Sequence, residues 1–187
     1  TLTGNGQYNA NLSRSHTHFR SPVDRDEAFH DLEKANDKIE AFSNALRAEL
    51  RKGRHMQRTF LPDKMPDIPG WKIQACFHPA KQVSGDFYDF YELGNGRIYF
   101  SLGDVSGKGM DAALLMSKTA SLFRCLGKTI DEPAALLATI NRELCETAIH
   151  GMFVTMVCGI LDPETGEIRL ANAGHEPPLL HSADGQF

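Results

Sequence analysis

Cysteine is scarce in this chain and is arranged for neither of its special uses. Cys76, Cys125, Cys145 and Cys158 are four thiols in 187 residues, with no C-x-x-C pair among them. That spacing excludes a zinc cluster or a disulfide framework as the organising device, and four buried thiols in a reducing cytoplasm are expected instead. Long apolar runs are missing too. No stretch nears the roughly 18 residues of a membrane-spanning helix, so this segment is not expected to insert directly in a membrane. Positive charge is also in short supply, with a formal net charge of -4 and no basic run. A nucleic-acid partner is therefore not expected.

Two catalytic signatures are absent as well. There is no G-x-S-x-G nucleophile elbow. The stretch "GDVSGKG" fails as a phosphate loop, because only three residues separate Gly103 from Gly107 and Gly109, not Ser or Thr, follows Lys108. The amino end, "TLTGNGQYNANLSRS", lacks the basic and apolar regions of a signal peptide. The expected location is the cytoplasm, either as a free protein or as the cytoplasmic part of a larger receptor.

What is present is a globular composition, 41% hydrophobic and 24% charged, in a chain long enough to bury a core. Residues 1–25 are polar and aperiodic and read as a flexible lead-in. From Asp26 the pattern turns helical. Leu32, Ile39 and Leu46 recur at seven, Phe29, Phe42 and Leu50 fill in between, and Asn36 and Ser43 hold the other seam position. The stripe suits a weak coiled coil in a homodimer, with a signal-transmitting role, or a helix docked on its own domain. Pro62, Pro66 and Pro69 close this linker helix, giving segments 26–61 and 62–187.

After Trp71 the periodicity is mixed. "WKIQACFHPA", "DFYDFYEL", "RIYFSLGDV", "FVTMVCGILD", "EIRLANAG" and "PPLLHS" read as strands, and "GNG" at 94–96 and "DPETG" at 162–166 as hairpin turns. Between the strands lie a helix over 109–126 and another from Pro133 to Ala148, with Asp131 placed to cap the second. Strands, two helices and strands again predict an α+β domain with helices stacked on antiparallel sheet.

Two Gly-Asp pairs carry the candidate chemistry. Asp86 lies where a loop enters "FYDFYEL", and Asp104 where "RIYFSL" runs out into a glycine-rich loop. If the two segments pair across "GNG", both carboxylates fall at the same end of the ladder. Adjacent carboxylates repel, and a hard divalent cation resolves the conflict with oxygen ligands, to which the carbonyl of Val105 could add. Taken alone, however, Gly-Asp is ordinary turn chemistry. Asp89, Asp111 and Glu92 read as a solvated face or helix start, with Asp89 also near enough to face the pair. His175 in "ANAGHEPP" and His55 read as bracing hydrogen bonders.

The ordered combination goes further than its parts. "ELRKGRHMQRTFLP", "GDFYDFYEL", "GDVSGKGMDAALLMS" and "FVTMVCGILDPETGEIRLANAGHEPPLL" together resemble the metal-dependent serine/threonine protein phosphatases of the PPM superfamily, over roughly residues 47 to 183. The bacterial branch typified by stage II sporulation protein E and the sigma-factor-regulator phosphatases is the most similar. This resemblance implies an α-β-β-α sandwich with a two-ion manganese or magnesium centre. It makes Asp86 and Asp104 metal ligands and catalytic residues, Asp104 bridging both ions, and Val105 a carbonyl donor. It also implies hydrolysis of phosphoserine or phosphothreonine on a regulatory protein, such as an anti-sigma-factor antagonist, under control of the amino-terminal helix. The alternative is a non-catalytic switch or scaffold of the same fold. Family members place further metal-binding aspartates after the "AGHEPP" region, so the domain is expected to be incomplete at Phe187. Asp162 and Asp184 match turns and not those ligands.

Overall fold

A computed structural model of the chain describes residues 22–77, 83–146 and 151–181. The order of elements is α1 (Pro22–Arg58), β1 (Phe87–Glu92), β2 (Ile98–Val105), α2 (Met110–Leu126), α3 (Pro133–Glu146), β3 (Val154–Leu161) and β4 (Ile168–Ala173). The chain divides into two compact units, Thr1–Leu46 and Arg47–Phe187. In the first, α1 carries its apolar stripe in the open: Phe29, Leu32, Ile39, Phe42 and Leu46 are all more than half exposed. Its last turn, in the second unit, runs into a turn at Thr59 to Leu61 and stops before Pro62.

In the second unit the four strands form one antiparallel sheet in the order β1-β2-β3-β4. Alternation divides its two faces. Phe87, Asp89, Tyr99, Ser101, Cys158 and Ile160 are buried, on the face where α2 packs on β1 and β2 and α3 on β3 and β4. The helices match this face by periodicity: Ala112, Ala113, Met116, Thr119, Ala120 and Phe123 form the buried side of α2, and Leu136, Leu137 and Ile140 that of α3. Tyr91, Tyr99 and Phe123 meet edge-on or tilted, with centroids 5.2 to 5.8 Å apart. The opposite face keeps Leu102, Ile168 and Leu170 45 to 49% exposed.

The expected mixed α+β order holds, with differences that have local causes. Residues 71–77 form no strand, and neither do residues 176–181; their β-forming side chains find no ladder partner among the described residues. Asp131 does not cap α3. Glu132 is nearer and accepts the Ala135 amide at 2.7 Å, while Asp131 pairs with Arg97 at 3.5 Å. Only Cys158 of the four cysteines is buried; Cys76, Cys125 and Cys145 are exposed. Burial pushes the Cys158 thiol up to about 12, which makes it inert. The turn expected at 182–187 lies outside the described residues.

Candidate metal centre

The β1–β2 hairpin sets the geometry. Its ladder runs from Glu92↔Ile98 to Phe87↔Gly103, so Asp86 and Asp104 stand opposite each other one step past the last pair. Tight turning at Gly96 (φ 77°) keeps the strands in this register. Asp104 pairs on its other side with Thr155 of β3. Because side chains alternate, Val105 turns into the core, 1% exposed, and leaves Asp104 on the open side.

The loop before β1 lies directly on the end of β2. A methyl group on Gly85 would stand 2.7 Å from the Val105 carbonyl oxygen and 3.3 Å from Asp104 Oδ1. Glycine is the residue that permits this approach. Two carboxylates and a carbonyl therefore border one spot at the sheet end. The electrostatics report the crowding: the Asp104 carboxyl is raised above its usual range, chiefly by burial and then by the Asp86 carboxylate beside it, with His175 and the Val105 amide pulling the other way. A site of oxygen donors with one carboxyl held against another suits a hard cation such as Mn2+ or Mg2+. Among the described residues no three His, Cys, Asp or Glu side chains gather as a ligand group.

Supporting contacts fix these donors. Ser84 Oγ donates to Asp86 Oδ2 at 3.1 Å and accepts the Asp86 amide at 3.1 Å. Ser106 braces the glycine-rich loop: its amide donates to the Phe153 carbonyl and its hydroxyl accepts the Phe153 amide, both at 2.8 Å. Gly107 and Gly109, each at φ 90°, then turn the chain into α2. Asp111 lies in the first turn of α2, where the helix dipole favours a negative charge.

His175 is brought to this end of the sheet by the β3–β4 pairing. Its amide donates to Asn172 Oδ1 at 2.8 Å, Asn172 Nδ2 donates to its carbonyl at 3.0 Å, and its Nδ1 lies 3.0 Å from Thr155 Oγ1. Thr155 Oγ1 in turn donates to the Asp104 carbonyl at 3.3 Å. Bracing is what the sequence suggested for His175, and the structure adds what it braces. His55 is exposed near the end of α1.

Asp89 does not face the pair. It is on the opposite face of β1, fully buried, with Arg124 of α2 holding both carboxylate oxygens at 2.6 Å. Its carboxyl is nonetheless raised, because desolvation outweighs the guanidinium. Asp162 accepts the Glu164 and Thr165 amides within the β3–β4 turn, at 3.0 and 3.1 Å. Asp184 lies outside the described residues. Sequence reasoning missed Ser84, Thr155 and Gln57, whose contacts are long-range or depend on rotamer; only the position of Ser84 two residues before Asp86, a spacing common in side-chain-to-backbone turns, offered a signal.

The sequence model of the family described as stage II sporulation protein E (SpoIIE) matches residues 94–187. Protein IcfG of Synechocystis sp. is 34% identical over 166 residues, covering 74% of this chain and 26% of that protein. Phosphoserine phosphatase RsbU of Bacillus subtilis is 31% identical over 144 residues, covering 77% of this chain and 43% of RsbU. Phosphoserine phosphatase RsbP of the same organism is 25% identical over 143 residues, 73% of this chain and 35% of RsbP. The chain thus spans less than half the length of each of these relatives.

Proposed function

The chain belongs to the stage II sporulation protein E family, and from that premise we propose that it contributes one side of the metal centre of a protein serine/threonine phosphatase. The carrying observation is the apposition of Asp86 and Asp104 at the end of the β1–β2 ladder, with the Val105 carbonyl beside them. These three residues would hold Mn2+ or Mg2+, two ions in the full centre. Bound there, such ions supply a water of lowered pKa as nucleophile and neutralise charge on the transferring phosphoryl group.

The chain's own part is positional. Ser84 sets the rotamer of Asp86, Thr155 and His175 brace the main chain at Asp104, and Ser106 holds the loop that follows. A donor set fixed before the reaction spares its reorganisation during it. The substrate class is phosphoserine or phosphothreonine on a regulatory protein. The relatives named phosphoserine phosphatases support this, and the bacterial branch that the motifs resemble points to an anti-sigma-factor antagonist.

The wider architecture follows the same reading, with residues 26–61 as a linker helix and 62–187 as the phosphatase domain. A second sheet covers the open face at Leu102, Ile168 and Leu170, completing an α-β-β-α sandwich; a half-exposed apolar sheet face supports this. Helix α1 pairs with its copy in a dimer along Phe29, Leu32, Ile39 and Leu46 and relays a signal to the domain, as its exposed seven-residue stripe suggests. The test is release of phosphate from a phosphoserine protein by the complete polypeptide, with and without Mn2+. Asp104→Asn should abolish it; an undiminished rate in that variant would sink the assignment.

A further inference from the structure

Phe153 stands one residue ahead of β3, and its side chain is 63% exposed. An exposed phenylalanine by itself is ordinary, since much of any protein surface is apolar. What distinguishes this one is where it stands and how firmly its main chain is held. The Phe153 amide donates to Ser106 Oγ and its carbonyl accepts the Ser106 amide, both at 2.8 Å. These bonds extend the β2–β3 pairing one step beyond Val105↔Val154. The ring therefore projects from a fixed strand end.

Alternation decides which face it takes. Asp104 pairs with Thr155, while Val105 and Val154, one step on, pack toward the helices. Phe153 then falls on the face of Asp104 and Thr155. A cross-strand diagonal such as Asp104 to Phe153 spans roughly 7–8 Å, within reach of an aromatic side chain. The apolar part of the same face, at Leu102, Ile168 and Leu170, lies on the other side of the Asp104–Thr155 row, toward the β1–β2 turn. That polar row separates Phe153 from it, so the ring belongs to the rim of the candidate metal centre.

Substrate chemistry supplies the occupant. A phosphoryl group held at the Asp86–Asp104 site keeps the serine that carries it close to the pair, and the substrate chain on either side advances about 3.8 Å per residue. A neighbouring side chain of the substrate thus comes level with the Phe153 ring. We propose that Phe153 is a specificity-determining residue, whose ring packs against an apolar side chain adjacent to the phosphoserine of the protein substrate. This rests on the reading of the Asp86–Asp104 site as a phosphatase centre. Because the strand end is already fixed, little freedom is lost on contact, and a small apolar area can discriminate between substrates.

The test measures hydrolysis by the complete polypeptide with Mn2+ on phosphoserine peptides that carry leucine or glycine at each of the nearest positions on either side, and on free O-phosphoserine. The parent should prefer a leucine peptide over its glycine counterpart by about 10-fold in kcat/KM, the lower end of what an apolar contact discriminates. Phe153→Ala, which keeps the main-chain bonds to Ser106, should erase that preference, chiefly through KM, and Phe153→Tyr should restore it. Free O-phosphoserine has no neighbouring side chain and should lose less rate than the leucine peptide. If the parent shows no preference, if Phe153→Ala retains it, or if that variant slows every substrate alike, the ring does not read the substrate and the proposal is overturned. If Asp104→Asn hydrolyses the leucine peptide at the parental rate, the phosphatase reading itself fails and takes this proposal with it.

Discussion

The ring of Phe87 occupies the space that a side chain on Gly103 would need: a methyl group there would lie 2.5 Å from Phe87 Cζ and 2.9 Å from the Thr155 carbonyl oxygen. Gly85 faces Val105 in the same manner. Each glycine of the two Gly-Asp pairs thus accommodates the residue that follows the other pair's aspartate. This reciprocal fit brings the two aspartates to one place.

Gly103→Ala should therefore act on stability and site together. The added methyl forces the Phe87 ring or the β3 strand to move, and overpacking of this kind costs about 1–3 kcal/mol. Urea unfolding followed by circular dichroism checks the first effect. Mn2+ titration checks the second, with weaker binding expected because the ladder pair beside Asp86 and Asp104 is displaced.

Metal-free Asp104→Asn should be more stable than the parent at neutral pH. The folded state raises the Asp104 carboxyl above its ordinary value of 3.8, so the folded state holds its proton more tightly than the unfolded state does. Stability from this group is then greatest at low pH and is lost as pH rises through the raised value. Thermal melts of the two proteins should differ most near pH 7 and converge below about pH 3, where the carboxyl is largely neutral in both states. Divalent cation should reverse the order at pH 7, since only the parent keeps both carboxylates.

Arg124→Met should destabilise the domain by about 2–3 kcal/mol, less than the roughly 3–5 of a fully enclosed pair, because the Arg124 side chain is 47% exposed. The cost arises at Asp89, which has no exposure and is left as a lone buried carboxylate. Its raised pKa rises further without the guanidinium, so the variant should lose stability as pH climbs from the acid range. Adding Asp89→Asn should recover much of the loss, a result readable by chemical denaturation.

The ring of His175 should be the Nδ1-protonated tautomer at neutral pH. Thr155 has one hydroxyl proton and directs it to the Asp104 carbonyl, so its oxygen accepts from Nδ1–H. Long-range nitrogen–proton correlation spectra distinguish the tautomers. Thr155→Val should abolish the preference and speed amide exchange at His175 without unfolding the sheet.

Much of the local structure was written in the chain. Alternation in "DFYDFYEL" and "RIYFSLGDV", glycine at the turn between them, and helical spacing through Met116, Ala120 and Phe123 gave β1, β2 and α2. Their causes are short-range: side-chain period, backbone freedom, and the proline and glycine residues that stop them. The register that sets Asp86 opposite Asp104 was legible for the same reason, because a tight hairpin leaves little freedom in pairing.

What the sequence left open was settled by contacts between distant residues. Nothing local told Asp89 from Asp86, three positions away; the packing of α2 on β1 buried one against Arg124 and left the other beside Asp104. Likewise Glu132 took the cap from Asp131 by rotamer and reach, and three of four cysteines stayed exposed because they lie off the packed faces. By itself the sequence determined the three helices, four of the six expected strands and the hairpin that aligns two carboxylates, since periodicity and turn geometry act within a few residues. Only the tertiary structure decided which polar groups were to be buried, paired or presented, because desolvation and hydrogen bonding depend on what the fold brings alongside.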